Sequence, residues 1–126
     1  MKSSVKKNKV ILLIGFSPDE AEKIKEHVEG KLCIMHHEFL QWTLEDVIES
    51  CREDDYESWG EDRIVILHGY EKEEAVKIMR RIKELMPYHI IFATTTHTSL
   101  QWKLENLIDE LREEDLYFSR NYGARK

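Results

Sequence analysis

Short apolar runs alternate with amphipathic segments along the chain. Four continuous apolar runs of four or five residues are typical of strands that are buried on both faces: 10–14, 32–35, 64–67 and 90–93. Each run is followed by a stretch in which apolar residues recur every three or four positions, as on one face of a helix. The order strand, helix, strand, helix occurs twice. It predicts an α/β fold with one four-stranded, at least partly parallel sheet and helices packed on it.

The first predicted helix has sequence signals at both of its ends. Ser17 is a typical N-cap residue, Pro18 is favoured in the first turn, and Glu20 stands where it closes a capping box. Gly30 is a typical residue just beyond a helix end. In the later half of the chain, Pro87 predicts the end of the equivalent helix, because proline cannot continue the helical hydrogen bonds.

A six-residue motif occurs twice, sixty positions apart. Residues 40–45 read Leu-Gln-Trp-Thr-Leu-Glu, and residues 100–105 read Leu-Gln-Trp-Lys-Leu-Glu. Upstream of the motif the halves match at an offset of fifty-four, so that residues 15–16 (Gly-Phe) correspond to residues 69–70 (Gly-Tyr). The difference of six is an insertion around Pro87, between the first helix and the second strand of the later half. We interpret the match as an internal duplication.

The duplication predicts one domain with two repeats, an acidic connector and basic ends. The predicted boundaries are 1–126 for the domain, 9–55 and 63–115 for the repeats, 53–62 for the connector, and 1–9 and 120–126 for the tails. Two arrangements of the repeats remain open. Strands in the order 2-1-3-4 would form a doubly wound parallel sheet, whereas a pseudo-two-fold axis through the sheet would make the two central strands antiparallel.

The body of the protein is strongly acidic. The whole chain carries a formal charge of −6, but residues 10–119 hold twelve Lys or Arg against twenty-five Asp or Glu, a difference of −13. Such a body repels phosphate backbones, so we expect no nucleic-acid partner. No apolar run approaches the roughly 18 residues that a membrane helix needs, so we expect no membrane association.

Several features favour a cytoplasmic protein. The two cysteines, Cys33 and Cys51, form no Cys-x-x-Cys motif and are too few for a disulfide framework. Met1 is followed by polar residues instead of the apolar region of an export signal. Abundant Glu and Lys with few Gln and Asn is a composition typical of heat-adapted proteins.

One combination of these features resembles a known family. It consists of an apolar strand ending in Gly-Phe or Gly-Tyr, an acidic helix, a second strand, and a helix start centred on tryptophan. This pattern is similar to a small prokaryotic family catalogued only as a domain of unknown function (thirty-seven eighty-three in that catalogue), seen here as two tandem copies. The resemblance is closest over 91–104, covers 63–115 well and is weaker over 9–55, where Phe39 stands in place of Ser99. It implies no activity, because the family has none assigned.

Histidines near the predicted strand ends are the first candidates for a binding site. The carboxyl ends of parallel strands share one edge of a sheet, where ligands of α/β proteins commonly bind. Imidazole and carboxylate groups could hold zinc or a similar metal there. Their spacing matches no known metal motif, and hydrogen-bonded loop histidines are the simpler interpretation. The ligand or metal candidates are His36, His37, Glu38, His68, Tyr70, Thr96, His97 and Thr98.

A hydroxyl-rich segment, residues 94–99, precedes the last predicted helix. Backbone N–H groups at such a helix start can hold an anion or a small polar ligand. The simpler interpretation is that threonines favour strand ends and that Thr98 or Ser99 caps the helix. No phosphate-binding glycine motif, nucleophile elbow or His-Glu-x-x-His signature occurs, so nothing in the chain indicates nucleotide binding or one of these catalytic classes.

Trp42 and Trp102 occupy equivalent positions in the repeated motif. If the helix already includes the preceding Leu, each Trp lies about 200° around the helix from it. Each would then be away from the apolar stripe, as expected of an interaction surface. If the helix begins only at Thr43 or Lys103, each Trp packs back on the first helical turn as a hydrophobic staple. Both interpretations remain open.

A second apolar segment is expected to lie beyond the last helix. Residues 116–118 read Leu-Tyr-Phe, and no core position is predicted for them. Tyr117 and Phe118 are therefore candidates for the interface of a homodimer, together with the two Trp residues.

The sequence thus favours a small cytoplasmic protein-interaction module without enzymatic activity or a resident cofactor. Its partner would be another protein or a second copy of the chain. The alternative is a small-ligand or metal-binding, potentially catalytic, module with its site at the carboxyl ends of the strands. The direction of the central strands discriminates between the two, because a fully parallel sheet would gather the candidate residues at one edge.

Overall fold

The structure is a computed structural model that describes residues 9–34, 37–50, 62–86 and 88–121, with the backbone alone for residues 37 and 117–121. Its four strands are β1 (Val10–Ile14), β2 (Lys31–Ile34), β3 (Arg63–His68) and β4 (Ile90–Thr94). The helices are α1 (Pro18–His27), α2 (Leu44–Glu49), α3 (Lys72–Leu85) and α4 (Leu104–Asn121). Short 3₁₀ helices, His37–Gln41 and Ser99–Gln101, precede α2 and α4. The predicted α/β class is confirmed.

The four strands form one mixed sheet in the order β2-β1-β3-β4. The outer pairs are parallel, whereas β1 and β3 at the centre are antiparallel. Of the two arrangements that the sequence left open, the structure therefore has antiparallel central strands, and the doubly wound parallel sheet does not form.

The register of the central pair is symmetric between the two halves. Val10 pairs with His68, and Ile14 pairs with Ile64. At the offset of fifty-four that relates the halves in sequence, Val10 corresponds to Ile64 and Ile14 corresponds to His68. The first pair therefore becomes the second pair when the halves are exchanged. The sheet thus has the pairing that an approximate two-fold axis between β1 and β3 requires, although the duplication itself stays a prediction.

Both faces of the sheet are covered, which explains why the strands are apolar throughout. Alternate residues of a strand point to opposite faces. Leu12 packs in a core that includes residues of α2 and α4, and its neighbour Leu13 packs in a second core with residues of α1 and α3. Both side chains are fully buried. The result is a three-layer arrangement with the sheet in the middle.

The predicted signals at the ends of α1 and α3 are confirmed. The Ser17 hydroxyl accepts a hydrogen bond from the Glu20 N–H at 3.2 Å, and the Ser17 N–H donates to Glu20 Oε1 at 2.9 Å. These bonds close a capping box. The helix α3 ends at Leu85, two residues before Pro87.

The structure decides one question about the later helices that the sequence left open, where they begin, and corrects one prediction, where the last helix ends. Leu40 and Leu100 lie in the 3₁₀ helices, and α2 and α4 begin only at Leu44 and Leu104. The segment 116–118 does not lie beyond the last helix, because α4 continues to Asn121. No Gly or Pro occurs in the chain between residue 88 and Gly123 to end the helix sooner.

Cys33 is buried in the core beneath α2 and is disulfide-bonded. The only other cysteine of the sequence is Cys51, which lies outside the described residues. Among the described residues, no helix combines the length and the apolar character that a membrane span requires.

Candidate functional site

The antiparallel centre of the sheet divides the predicted site between two edges. β1 and β2 end at one edge, which we call the first edge, and β3 and β4 end at the opposite, second edge. His37 and Glu38 follow β2, at the first edge, and His36 lies outside the described residues. The remaining candidates lie at the second edge. His68 is the last residue of β3, and the others follow β3 or β4: Tyr70, Thr96, His97 and Thr98.

The second-edge histidines have contrasting environments. His68 is buried, and its Nδ1 lies 2.8 Å from the Thr95 hydroxyl, with which it shares a hydrogen bond. His97 is exposed. Across the part of the chain that the structure describes, no three His, Cys, Asp or Glu side chains are grouped so that they could hold a metal ion.

The hydroxyl-rich segment after β4 is occupied by its own hydrogen bonds. The Thr96 N–H donates to Ser99 Oγ at 2.8 Å, and the Ser99 N–H donates to Thr96 Oγ1 at 3.0 Å. Thr96 therefore closes the turn that precedes α4, and the prediction that Thr98 or Ser99 caps this helix is wrong. Lys103, and not a hydroxyl residue, comes directly before the first residue of α4.

Tyr70 lies in a cluster of charged groups at the second edge. Its hydroxyl donates to the Glu29 carbonyl oxygen at 2.7 Å, and Lys9 Nζ lies 5.9 Å from the centre of its ring. The same Lys9 ammonium donates to Glu74 Oε2 at 2.7 Å. Burial, followed by the negative charges of Glu74 and Glu29, raises the pKa of Tyr70 to about 12. The phenol is therefore a neutral donor at physiological pH.

A corresponding cluster lies at the first edge. Arg63 Nη2 donates to Glu20 Oε2 at 2.9 Å, and the guanidinium lies 4.2 Å from the ring centre of Tyr88. Arg63 corresponds to Lys9 and Glu20 to Glu74 at the offset of fifty-four. Sequence reasoning missed both ion pairs. The offset could have revealed them, since a cation precedes the first strand of each half and a Glu closes each capping box.

The repeated motifs of the two halves meet at the centre of the α2/α4 face. Thr43 and Lys103 form an antiparallel bridge. The Leu44 N–H donates to the Trp102 carbonyl at 2.9 Å, and the Leu104 N–H donates to the Trp42 carbonyl at 2.8 Å. We call the eight residues involved, 41–44 and 101–104, the tryptophan seam.

Both indoles of the seam remain accessible to solvent. Trp42 is 40% exposed and Trp102 is 36% exposed. The Trp42 ring packs on Phe39 with 4.7 Å between ring centres, while the residue that corresponds to Phe39 in the other half is Ser99. Each Trp lies two residues before the first residue of its helix, which is the position that the staple interpretation requires. Each indole is also partly exposed to solvent, which the interface interpretation requires.

Polar groups join the two sides of the seam. The Gln41 side-chain amide donates to a carboxylate oxygen of Glu105, and Lys103 Nζ donates to Gln41 Oε1 at 3.4 Å. Beside Trp42 lies a shallow groove of about 390 Å³, bordered by Thr43 and the polar side of α2.

The remaining interface candidates lie near the end of α4. Leu116 is 60% exposed, the largest exposed fraction among the large hydrophobic residues described. Tyr117 and Phe118 continue the same helix, and their side chains lie outside the described part of the chain.

Comparison with known proteins gives one similarity. Residues 63–118 match the model of a family described as Domain of unknown function (DUF3783). The matched segment runs from β3 into α4 and corresponds to the second predicted repeat, so the resemblance noted in the sequence is confirmed there. No match was found among the curated proteins or among the solved structures. Two tandem copies of the family domain stay a prediction.

Proposed function

We propose that this protein is a non-enzymatic protein-interaction module that self-associates through the tryptophan seam. The observation that carries the proposal is the reciprocal pair of hydrogen bonds between the two Leu-Gln-Trp motifs. These bonds hold two partly exposed indoles on either side of one bridge. Trp is enriched among residues that dominate the energy of protein interfaces, particularly near their centres.

The charge distribution supports the seam as the contact surface. Residues 10–119 carry −13, so two copies of the body repel each other across most orientations. The eight residues of the seam contain a single charged side chain, the cation Lys103. Contact centred on the seam therefore removes apolar and amide surface from water, and the acidic Glu105 at its border is already hydrogen-bonded to Gln41.

The symmetry of the seam supports a second copy as its partner. The bridge between Thr43 and Lys103 relates one motif to the other by an approximate two-fold rotation. Two chains that meet face to face can align these local axes. The two Trp residues of one chain then contact the two Trp residues of the other. Such an isologous contact closes on itself and produces a dimer.

Light scattering and sedimentation over a range of concentrations test the proposal. We expect the wild-type chain to form dimers, and Trp42→Ala with Trp102→Ala to raise the dimer dissociation constant by about thirtyfold or more, as for hot-spot residues. The matched control, Val76→Ala with Tyr88→Ala, removes two exposed hydrophobic side chains elsewhere and should leave the dissociation constant unchanged. Circular dichroism checks that each variant is folded.

Three outcomes contradict self-association through the seam. One is a wild-type chain that stays monomeric at the highest concentration, and another is equal weakening by both pairs of substitutions. The third is dissociation by Tyr117→Ser with Phe118→Ser while the seam variant stays dimeric, which would place the contact at the end of α4.

A second candidate function is a small-ligand or metal site at the carboxyl ends of the strands. It is favoured by the open space beside Tyr70, at the end of β3. Its metal version is tested by zinc, nickel and cobalt content after purification without an affinity tag. Because His37 and His97 lie at opposite edges, each is replaced by Ala separately: a stoichiometric metal that is lost in one of the two variants supports this version at that edge, and trace metal that is unchanged in both contradicts it.

A further inference from the structure

A cleft of about 690 Å³ opens at the second edge of the sheet, on the side of α1 and α3. Lys9 and Tyr70 line it where β1 begins and β3 ends, and Val28 and Ile78 supply apolar wall. The volume lies within the range of roughly 300–1,000 Å³ that is common for small-molecule sites.

The two-fold counterpart of this cleft, at the first edge, is much smaller. Its volume is about 230 Å³, and Leu85, Met86 and Tyr88 line it. Leu85 is the last residue of α3, and Met86 and Tyr88 follow it; α3 has 14 residues against 10 in α1, so most of the six additional residues of the later half lengthen this helix. The shorter α1 ends at His27, and a connection of three residues, 28–30, leads to β2, so the corresponding space at the second edge stays open.

Gly30 brings the short connection close to Tyr70. Its φ of +127° is a conformation that L side chains rarely adopt, and a Cβ atom there would lie 1.9 Å from the Tyr70 hydroxyl oxygen. Tyr70 is held in this position by its hydrogen bond to the Glu29 carbonyl. One side of the cleft is therefore built from backbone and a fixed aromatic ring.

The other side of the cleft carries charges of both signs, with an excess of cations: three Lys or Arg of α3 line it against two Glu of the same helix, Glu74 and Glu84. Lys77, Arg80 and Arg81 line it at spacings of three and four residues, which place them on one face of α3. Lys77 interacts electrostatically with Glu74, and Arg81 Nη1 lies 3.8 Å from the exposed carboxylate of Glu84. The lining has four Lys or Arg against three Glu, in a chain whose net charge is −6.

We propose that this cleft binds a small organic anion with an apolar or aromatic body. The cations of α3 would hold the anionic group, and the walls formed by Val28, Ile78 and the Tyr70 ring would cover the apolar body. This proposal gives a ligand class to the second candidate function and does not depend on the tryptophan seam.

The probe for the test is anilinonaphthalene sulfonate, an aromatic anion whose fluorescence rises when it leaves water. We expect saturable binding to the full chain, and Lys77→Glu with Arg81→Glu should weaken it by about tenfold or more, as expected for loss of charge-assisted contacts. The matched control is Lys72→Glu with Lys83→Glu, which makes the same charge change on α3 at exposed residues that do not line the cleft.

Two further variants separate the cleft from other apolar surfaces. Val28→Trp fills the cleft without changing its charge and should also abolish binding. Trp42→Ala with Trp102→Ala should leave binding unchanged, so that failure of the seam and failure of the cleft are distinguishable. Circular dichroism and urea unfolding check that each variant is folded.

Amide chemical shifts of the wild-type protein test the location without any substitution. On addition of the probe, we expect the largest changes at residues 27–30, 70 and 74–84. Changes elsewhere, equal weakening by the lining and control pairs, or binding that survives Val28→Trp would each overturn the proposal.

Discussion

A single hydroxyl distinguishes Tyr70 from its counterpart Phe16. Phe16 is buried against the core, whereas Tyr70 is half-buried and donates to the Glu29 carbonyl. This difference of one atom gives the second edge a titratable group that the first edge lacks at the corresponding position. It also offers Phe as a substitution that the fold already accepts in the other half.

We predict that wild type has a higher free energy of unfolding than Tyr70→Phe at neutral pH, and that this difference disappears at high pH. Because the pKa of the phenol is raised from 10.0 to about 12, the folded protein keeps its proton where the unfolded chain loses it. The stabilisation is therefore complete below pH 10 and is lost as the pH rises to 12. Urea unfolding of both proteins between pH 8 and 12 measures it. A constant difference in unfolding free energy over this range would contradict the prediction.

We also predict unequal roles for the two Trp residues. Trp42 packs on Phe39, whereas Ser99 stands at the corresponding position beside Trp102. Trp42→Ala should lower the free energy of unfolding by about 1–3 kcal/mol, and Trp102→Ala should lower it by less. Urea unfolding of dilute protein, with Trp59→Phe in each background, separates the two. Equal losses would show that the Phe39 contact contributes nothing.

At the scale of elements, the two copies of the Leu-Gln-Trp motif begin their helices differently. Thr43 Oγ1 accepts a hydrogen bond from the Asp46 N–H at 3.2 Å and caps α2. The equivalent residue before α4 is Lys103, whose side chain offers no acceptor. α2 has 6 residues and α4 has 18, so the better cap belongs to the shorter helix. A short helix has fewer internal hydrogen bonds and depends more on its cap.

We predict opposite effects from substituting these two residues. Thr43→Ala should lower the free energy of unfolding by about 1 kcal/mol, because an N–H of the first turn loses its acceptor. Lys103→Thr should raise it by up to about 1 kcal/mol by supplying the missing cap. Thermal and urea unfolding measure both. A destabilised Lys103→Thr variant would show that the Lys103 contact with Gln41 outweighs the cap.

At the scale of the whole molecule, two crossed ion pairs join the halves. Lys9 of the first half pairs with Glu74 of the second, and Arg63 of the second pairs with Glu20 of the first. The side chains of the first pair are 46% and 42% exposed, and those of the second are 30% and 18% exposed. Water screens the first pair more strongly, so the second should contribute more to stability.

Replacement of each Glu by Gln tests this difference. Gln can still close the capping box, so the substitution removes the charge and keeps the cap. Glu20→Gln should lower the free energy of unfolding by about 1–2 kcal/mol, and Glu74→Gln should lower it by less. The bond to Lys9 lowers the pKa of Glu74 below 4.5. The contribution of Glu74 is therefore present above pH 4.5 and is lost as the pH falls through its lowered pKa.

Urea unfolding at pH 7 and at pH 3 completes the comparison. The difference between wild type and Glu74→Gln should shrink at the lower pH, because pH 3 lies below the ordinary pKa of a Glu side chain and the unfolded chain is then stabilised by taking up a proton at residue 74. A Glu74→Gln variant that loses more stability than Glu20→Gln at pH 7 would contradict the ranking of the two pairs.

The disulfide at Cys33 gives a further prediction for the whole molecule. Reduction should lower the free energy of unfolding by about 2–4 kcal/mol, the usual contribution of a disulfide in a small domain. The same reductant should have no effect on Cys33→Ala, which serves as the control. Detection of free thiols in the unreduced, unfolded protein would contradict the bond.

Local patterns were enough to predict the strands, the capping box of α1 and the end of α3. Burial on both faces requires continuous apolar runs, and helix termini require particular residues within one turn, so each signal lies in a few neighbouring positions. The repeated motif likewise indicated that Trp42 and Trp102 have related environments.

Only the tertiary structure decided which way the halves face. Either direction of β3 against β1 buries the same apolar side chains, so hydrophobic periodicity cannot distinguish parallel from antiparallel pairing. Yet that direction separates Glu38 from His68 and Tyr70, brings the two Leu-Gln-Trp motifs together, and pairs Lys9 with Glu74. These contacts join residues about sixty positions apart, and their formation depends on how the halves pack rather than on any local preference.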